Sequence, residues 1–257
     1  MLLEADATDP AAAAMAVAQI KPIVDRTLAD IQIGSFDYLK PKPSSITTLV
    51  HNKYNPEGIS QFNIVPGLLG VILTMTMVMI TSIAMTREAE RGTMENLLAM
   101  PSKPLEVMIG KITPYVLMGL VQTMIILLAS NMLFHLPFVG SGSTFGLGVG
   151  LFILANLAIG FTFSTIAKSQ MQAMQLTFFF FLPSMLLSGF MFPFQGMPKW
   201  AQYLGEILPL THFLRIVRGI MLKGTSLSLL SNEFLALLAI LIIVGIIAML
   251  RYRQTLD

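Results

Sequence analysis

Apolar residues run uninterrupted by Asp, Glu, Lys or Arg over about residues 64 to 85, 112 to 134, 145 to 166 and 174 to 192, and again over 234 to 250. An α-helix needs roughly 20 residues to cross the hydrocarbon core of a bilayer. The pattern therefore predicts five transmembrane helices. Their polar content is Thr, Ser, Asn and Gln, including Thr74, Thr76, Gln122, Asn131, Asn156 and Gln175, residues that hydrogen-bond along and between helices. Gly146 and Gly150 form a small-xxx-small pair, a spacing that allows close helix contact but is common in such helices.

Composition agrees with the pattern: 54% of the 257 residues are hydrophobic and 12% are charged, against about 25% charged in a soluble domain. The net charge of +2 gives no basis for nucleic-acid binding, and the absence of cysteine removes disulfides, thiolate metal sites and thiol catalysis. Lys and Arg at the span ends set orientation. Arg87, Arg91, Lys103 and Lys111, then Lys168, then Arg251 and Arg253 share one side when five spans are counted. That side is assigned to the cytoplasm, together with the C-terminus. The first 60 or so residues, the loop at 135 to 144 and the segment 193 to 230 fall outside. Lys199, Arg215, Arg218 and Lys223 lie in that last segment, and are read as side chains that snorkel to headgroups.

The charge is concentrated in "TREAERGTMENLLAMPSKPLEVMIGK", residues 86 to 111. Gly92 interrupts the helix leaving the membrane, Thr93 suits an N-cap, Glu95 sits in the first turn and Pro101 stops the element. Met94, Leu97 and Leu98 fall on one face at i, i+3, i+4 spacing. Two readings fit: a helix lying on the headgroups, or a helix whose apolar stripe docks into a soluble partner.

A second informative segment is "LPSMLLSGFMFPFQGMPKWAQYLGEILPLTHFLRIVRGIMLKG", residues 182 to 224. Pro183, Pro193, Pro198 and Pro209 cut it into pieces too short to cross, with Pro198 opening a short helix and Pro209 ending it. Trp200 and Tyr203 suit an interfacial aromatic belt. His212, Arg215 and Arg218, three apart, make a one-sided basic face, read either as a headgroup anchor or as contact with an anionic substrate or an outer gate.

Catalysis finds no support. His51, His135 and His212 are scattered without an HExxH pattern, and no G-x-S-x-G elbow occurs. Gly110-Lys111-Ile112 lacks the upstream glycine and the hydroxyl of a P-loop, so the chain has no nucleotide-binding motif of its own. The first four spans hold no ionisable group for ion coupling, and Glu233, at the entrance of the last, is read as an interfacial anchor.

Those two segments, in this order and with these intervening spans, resemble the permease subunit of ABC-2 type exporters, and are most similar to the bacterial inner-membrane multidrug-efflux kind. The resemblance covers about residues 60 to 257. It implies an all-α integral membrane fold with about five transmembrane helices, a short cytoplasmic coupling helix at 86 to 100 and an extracellular re-entrant segment at 193 to 224. It implies a cytoplasmic ABC ATP-binding subunit, which carries the ATP and Mg, docked at Arg87, Glu88, Arg91, Gly92, Thr93, Met94, Glu95, Leu97 and Leu98. It implies a second permease unit as partner, and an outer gate around Pro193, Pro198, Trp200, Pro209, His212, Arg215 and Arg218. Residues 1 to 62 resemble part of the external domain that follows a first span in this family, and residues 63 to 257 the membrane domain. The expectation is a truncated start. Two further functions stay open: a membrane-embedded protein that binds an ATPase without transporting, and an ion-coupled carrier.

Overall fold

The computed structural model describes residues 2–32, 49–55, 57–91 and 104–254. The chain divides into two units, Met1–Asn63 and Ile64–Asp257. In the first, β1 (Leu2–Asp6) pairs in parallel with β2 (Leu49–Lys53), Leu2 opposite Leu49 and Asp6 opposite Lys53. Between them in sequence lies α1 (Pro10–Gln32). Asp9 caps it by accepting from the amides of Ala11 and Ala12 at 3.1 and 3.2 Å, and Pro10 occupies a position where no helical N–H is needed. The strands were not expected. "HNK" closes β2, and the chain turns from Tyr54, where φ is 70°. Asn55 then clips the turn, accepting from Ile59 N and donating to Ile59 O at 3.0 Å each.

The second unit is a helical bundle: α2 (Ser60–Glu90), α3 (Pro104–Phe134), α4 (Gly142–Ile166), α5 (Gln170–Leu187), α6 (Lys199–Glu206), α7 (Pro209–Lys223) and α8 (Ser231–Gln254). Among the described residues four helices are long and apolar enough to cross a membrane: Ser60–Glu88, Gly110–Phe134, Gly142–Ile166 and Ser231–Arg251. The fifth expected span, 174 to 192, differs. Its helix starts earlier, where Ser169 caps the chain by accepting from Gln172 N, and so takes in Gln170 and Gln172 besides Gln175. It ends at Leu187, just before Gly189 takes φ 86°. With 18 residues and three glutamines, α5 falls short of the other four. Pro183 does not cut it, because a helix in a protein-packed or lipid setting tolerates one lost backbone bond.

α4 is the axis of this unit. It packs on α8, α7, α3 and α5, and buries Phe152, Ile153, Leu157 and Phe161. Because lipid is as apolar as these side chains, cohesion rests on close van der Waals fit and interhelical hydrogen bonds rather than on escape from water. Among the glycines of α4, Gly160 makes the closest approach: a Cβ there would stand 2.7 Å from Val78 O of α2. At Gly146 and Gly150, the pair whose spacing allows a close contact, a Cβ would meet nothing within 4 Å. Thr76 of α2 donates to Gln122 of α3 at 2.9 Å. α3 and α8 turn apolar faces outward, including Leu117, Val121, Met124 and Leu128 on one, and Leu235, Ile242 and Leu250 on the other.

The bundle has two ends. At one, Met85, Phe161 and Ala248 pack together with Tyr115. At the other, Val139 N donates to Met221 O at 3.1 Å, and Phe138 meets Phe145 edge-on at 5.4 Å.

The glycines give a controlled comparison. Gly160→Ala forces its methyl into the backbone of α2 and is expected to lower stability in detergent by about 1–3 kcal/mol. Gly150→Ala adds a methyl in open space and is expected to be neutral or stabilising by up to about 1 kcal/mol. Thermal unfolding of the two variants side by side checks this, and equal midpoints would contradict the α2–α4 contact.

Candidate functional site

The charged stretch begins inside a helix. α2 continues through Arg87, Glu88 and Glu90 to a turn at Arg91, whose N–H bonds Arg87 O at 3.1 Å. Arg87 is exposed in the last turn, where a cation complements the helix dipole. Glu88 forms an ion pair with Lys111 of α3, both side chains partly shielded. Glu90 reaches α5: one carboxylate oxygen accepts from Gln170 N at 2.8 Å and the other from Gln170 Nε2 at 2.6 Å. Gln170 is the first residue of α5, so Glu90 places a carboxylate on one of the unpaired amides at the positive end of that helix. Those Gln170 hydrogen bonds hold the Glu90 carboxyl below its usual range. The end of α2 is thereby tied to the starts of two other helices, on either side of the segment 92 to 103. Gly92, Thr93, Met94, Glu95, Leu97 and Leu98, expected to dock a partner, lie outside the described residues.

The residues expected at the opposite end all lie in the described chain. Pro193 precedes a 3-10 turn (Phe194–Gly196), and Pro198 stands immediately before α6. Pro209 opens α7 instead of ending α6, its missing N–H falling where the helix has no use for one. Gly224, at φ 63°, closes α7 by donating to Ile220 O at 3.2 Å, while Thr225 N donates to Gly219 O at 3.0 Å. Trp200 and Tyr203 are 64% and 71% exposed on α6.

α7 is not a surface anchor. Twelve of its residues are buried, His212 among them at 5% exposure. Phe213 stacks on Phe152 of α4 with centroids 3.9 Å apart and planes at 4°. Gly70 of α2 and Gly148 of α4 leave no room for a Cβ against Leu210 and Ile216. The headgroup-anchor reading of His212 and Arg215 therefore fails, for a physical reason: their partners are protein carboxylates. Arg215 donates to Glu206 of α6 at 2.5 and 3.1 Å and to Glu233 of α8 at 3.3 and 3.4 Å, and its guanidinium lies 4.6 Å over the Phe194 ring. His212 contacts Glu233 Oε2 through Nδ1 at 2.6 Å and Glu206 O through Nε2 at 2.9 Å. Arg218 donates to Gly189 O at 3.1 Å. Glu233 is likewise a counter-charge within the bundle end and not an interfacial anchor.

An apolar bundle with a charged helix end on one side and a buried short helix at the other has a counterpart among known sequences. The family model described as ABC-2 type transporter matches residues 42–222. The chain belongs to the ABC-2 type transporter family. Over 215 residues this ABC-2 chain is 34% identical to the probable multidrug ABC transporter permease YbhR of Escherichia coli (strain K12), a stretch covering 84% of the chain and 58% of that protein. It is 36% identical over 194 residues to the inner membrane transport permease YhhJ of the same organism, covering 74% and 52%. It is also 28% identical over 215 residues to ABC transporter G family member 20 of Dictyostelium discoideum, covering 81% and 29%. The chain spans about half the length of the bacterial relatives it matches.

Within this ABC-2 chain, sequence reasoning missed Lys111, Gln170, Glu206 and Glu233 as working residues. Spacing along one helix does not reveal a partner 23 or 80 positions away, as in the Glu88–Lys111 and Glu90–Gln170 contacts. The available signal was charge balance: a helix carrying His212, Arg215 and Arg218 needs carboxylates if it is buried.

Glu88→Gln and Lys111→Met are each expected to lower thermal stability, with a coupling of about 0.5–1 kcal/mol in the double-mutant cycle. Strict additivity would show that the pair contributes nothing.

Proposed function

We propose that this chain is the membrane-spanning permease subunit of an ATP-driven exporter, moving a drug-like or lipid-like substrate outward across the bacterial inner membrane. The observation that carries the reading is the bracing of the charged stretch: Glu88 on Lys111 and Glu90 on Gln170 fix the emergence of the segment 92 to 103 to three helices at once. A force applied to that segment by a docked protein enters α2, α3 and α5 together, which is what a subunit without a nucleotide-binding motif needs in order to be driven from outside.

In this reading a cytoplasmic ABC ATP-binding subunit holds ATP and Mg and docks on Arg87, Glu88, Arg91, Gly92, Thr93, Met94, Glu95, Leu97 and Leu98. The C-terminus lies on the same side, and α6 and α7 form the re-entrant element of the outer end, with Pro193, Pro198, Trp200, Pro209, His212, Arg215 and Arg218 as its gate. A second permease unit completes the pathway. The drug-like substrate class follows the name of the YbhR relative, a multidrug permease. The outward apolar faces of α3 and α8 suit membrane lipid.

The test is a pull-down of the tagged chain from gently solubilised native membranes, with assay of the eluate for ATP hydrolysis. An ATPase is expected to copurify. Leu97→Glu, which places a charge in the Met94, Leu97, Leu98 stripe, is expected to abolish recovery at unchanged membrane insertion. Normal recovery by this variant would contradict docking through the stripe. Recovery without any substrate-dependent change in turnover would instead favour a protein that binds the ATPase without transporting.

A further inference from the structure

We propose that His212 is a proton-binding site that fastens the buried helix α7 to the last span α8 and to the end of α6, and that loss of the proton releases this fastening. The geometry assigns it. Both ring nitrogens face an acceptor: Nδ1 lies 2.6 Å from Glu233 Oε2 and Nε2 lies 2.9 Å from Glu206 O. A neutral imidazole carries one N–H and can satisfy only one of these contacts, leaving the other lone pair to lone pair. The imidazolium satisfies both. The proton could instead sit on Glu233 and donate to Nδ1, but Arg215 Nη1, 3.3 and 3.4 Å from the two Glu233 oxygens, favours the carboxylate.

Charge accounting gives the same answer. With His212 protonated, two cations (His212 and Arg215) face two anions (Glu206 and Glu233), and the cluster is neutral. Without the proton it carries one net negative charge around a side chain that is 7% exposed. The groups facing His212 come from three elements: Glu206 from α6, Glu233 from α8 and Arg215 from α7 itself. α4 and α5 contain no charged residue, and the charges of α2, Arg87, Glu88 and Glu90, lie in its last turn at the other end of the bundle. Glu206 is the more exposed member, with 42% side-chain exposure, and gives the proton a route to solvent.

Burial opposes the charged imidazole, but the Glu233 hydrogen bond and the Glu206 carbonyl outweigh it and raise His212 above its ordinary value. A group raised in the folded state stabilises that state fully below its unfolded pKa of about 6.5, and the contribution is lost as pH rises through the higher folded value. The site therefore fastens α7 fully below about pH 6.5 and lets go as pH rises through the raised value of the folded state. Nothing in this step depends on an ATPase or a substrate.

The test is hydrogen exchange read by mass spectrometry on the full chain in lipid nanodiscs, from about pH 6 to about pH 9, corrected for the intrinsic pH dependence of exchange. Expected is a step of about tenfold in corrected exchange at residues 204 to 212 and in the first turn of α8, above the ordinary histidine range. Glu233→Gln is expected to move the step to lower pH, and His212→Gln to remove it. A step that persists in His212→Gln, or that stays in place in Glu233→Gln, overturns the proposal, as does a flat wild-type profile. If His212→Gln does not fold, nuclear magnetic resonance titration of His212 in a His51→Gln, His135→Gln background decides: a value at or below the ordinary imidazole range overturns it, and a raised value that falls on Glu233→Gln supports it.

Discussion

A short helix carrying His212, Arg215 and Arg218 lies inside the bundle, and the arrangement of that end follows from the need to neutralise it. Buried charge is tolerated only when paired and hydrogen-bonded. Glu206 at the end of α6 and Glu233 in the first turn of α8 meet this need for His212 and Arg215, and the Gly189 carbonyl takes a bond from Arg218. The apolar side of the same helix dictates the rest: Gly70 and Gly148 thin the neighbouring helices, and Phe152 lies flat against Phe213. A helix of 15 residues is too short to cross, yet it lies buried against α2, α4 and α8 at that end of the bundle.

The other end solves a different problem. In the proposed reading work arrives from a separate protein, and frayed helix ends at the docking site would absorb that work as local motion. The Glu88–Lys111 pair and the two bonds between Glu90 and Gln170 oppose such fraying. The Glu90 contact serves two helices, since the carboxylate that ties down the end of α2 also caps the start of α5. Between the ends the bundle is held by close contact, as at Gly160 against Val78, and by sparse polar links such as Thr76 to Gln122.

Four spans were legible in the sequence because an uncharged run of the right length has few alternatives in a chain of this composition. The end of α3 was legible too: the expected span closes at 134, where the helix ends, and His135 follows it at φ 48°. α5 was misplaced because hydropathy discards Gln170 and Gln172, whereas the helix begins where Ser169 can cap it. α7 was misjudged because a basic face at three-residue spacing looks the same whether headgroups or carboxylates meet it. Glu206 and Glu233, respectively 6 and 21 positions from His212, come into range only through the turns after α6 and α7. Gly146 and Gly150 had the spacing of a packing motif but face open space, while Gly160 makes the contact. The resemblance of the two long segments to ABC-2 permeases carried the family, which no periodicity supplied.

In the proposed reading the charged end of α2 and the buried helix α7 lie on opposite faces of the membrane. The chain has no cysteine, so single cysteines report without background. Arg91→Cys and Tyr203→Cys replace exposed residues at the two ends, and each is treated with a membrane-impermeant maleimide in sealed right-side-out and inverted vesicles. The expected result is labelling of position 203 only in right-side-out vesicles and of position 91 only in inverted ones. Labelling of both positions from the same side would contradict the two-faced arrangement and, with it, the transmission of work from a cytoplasmic partner to an outer gate.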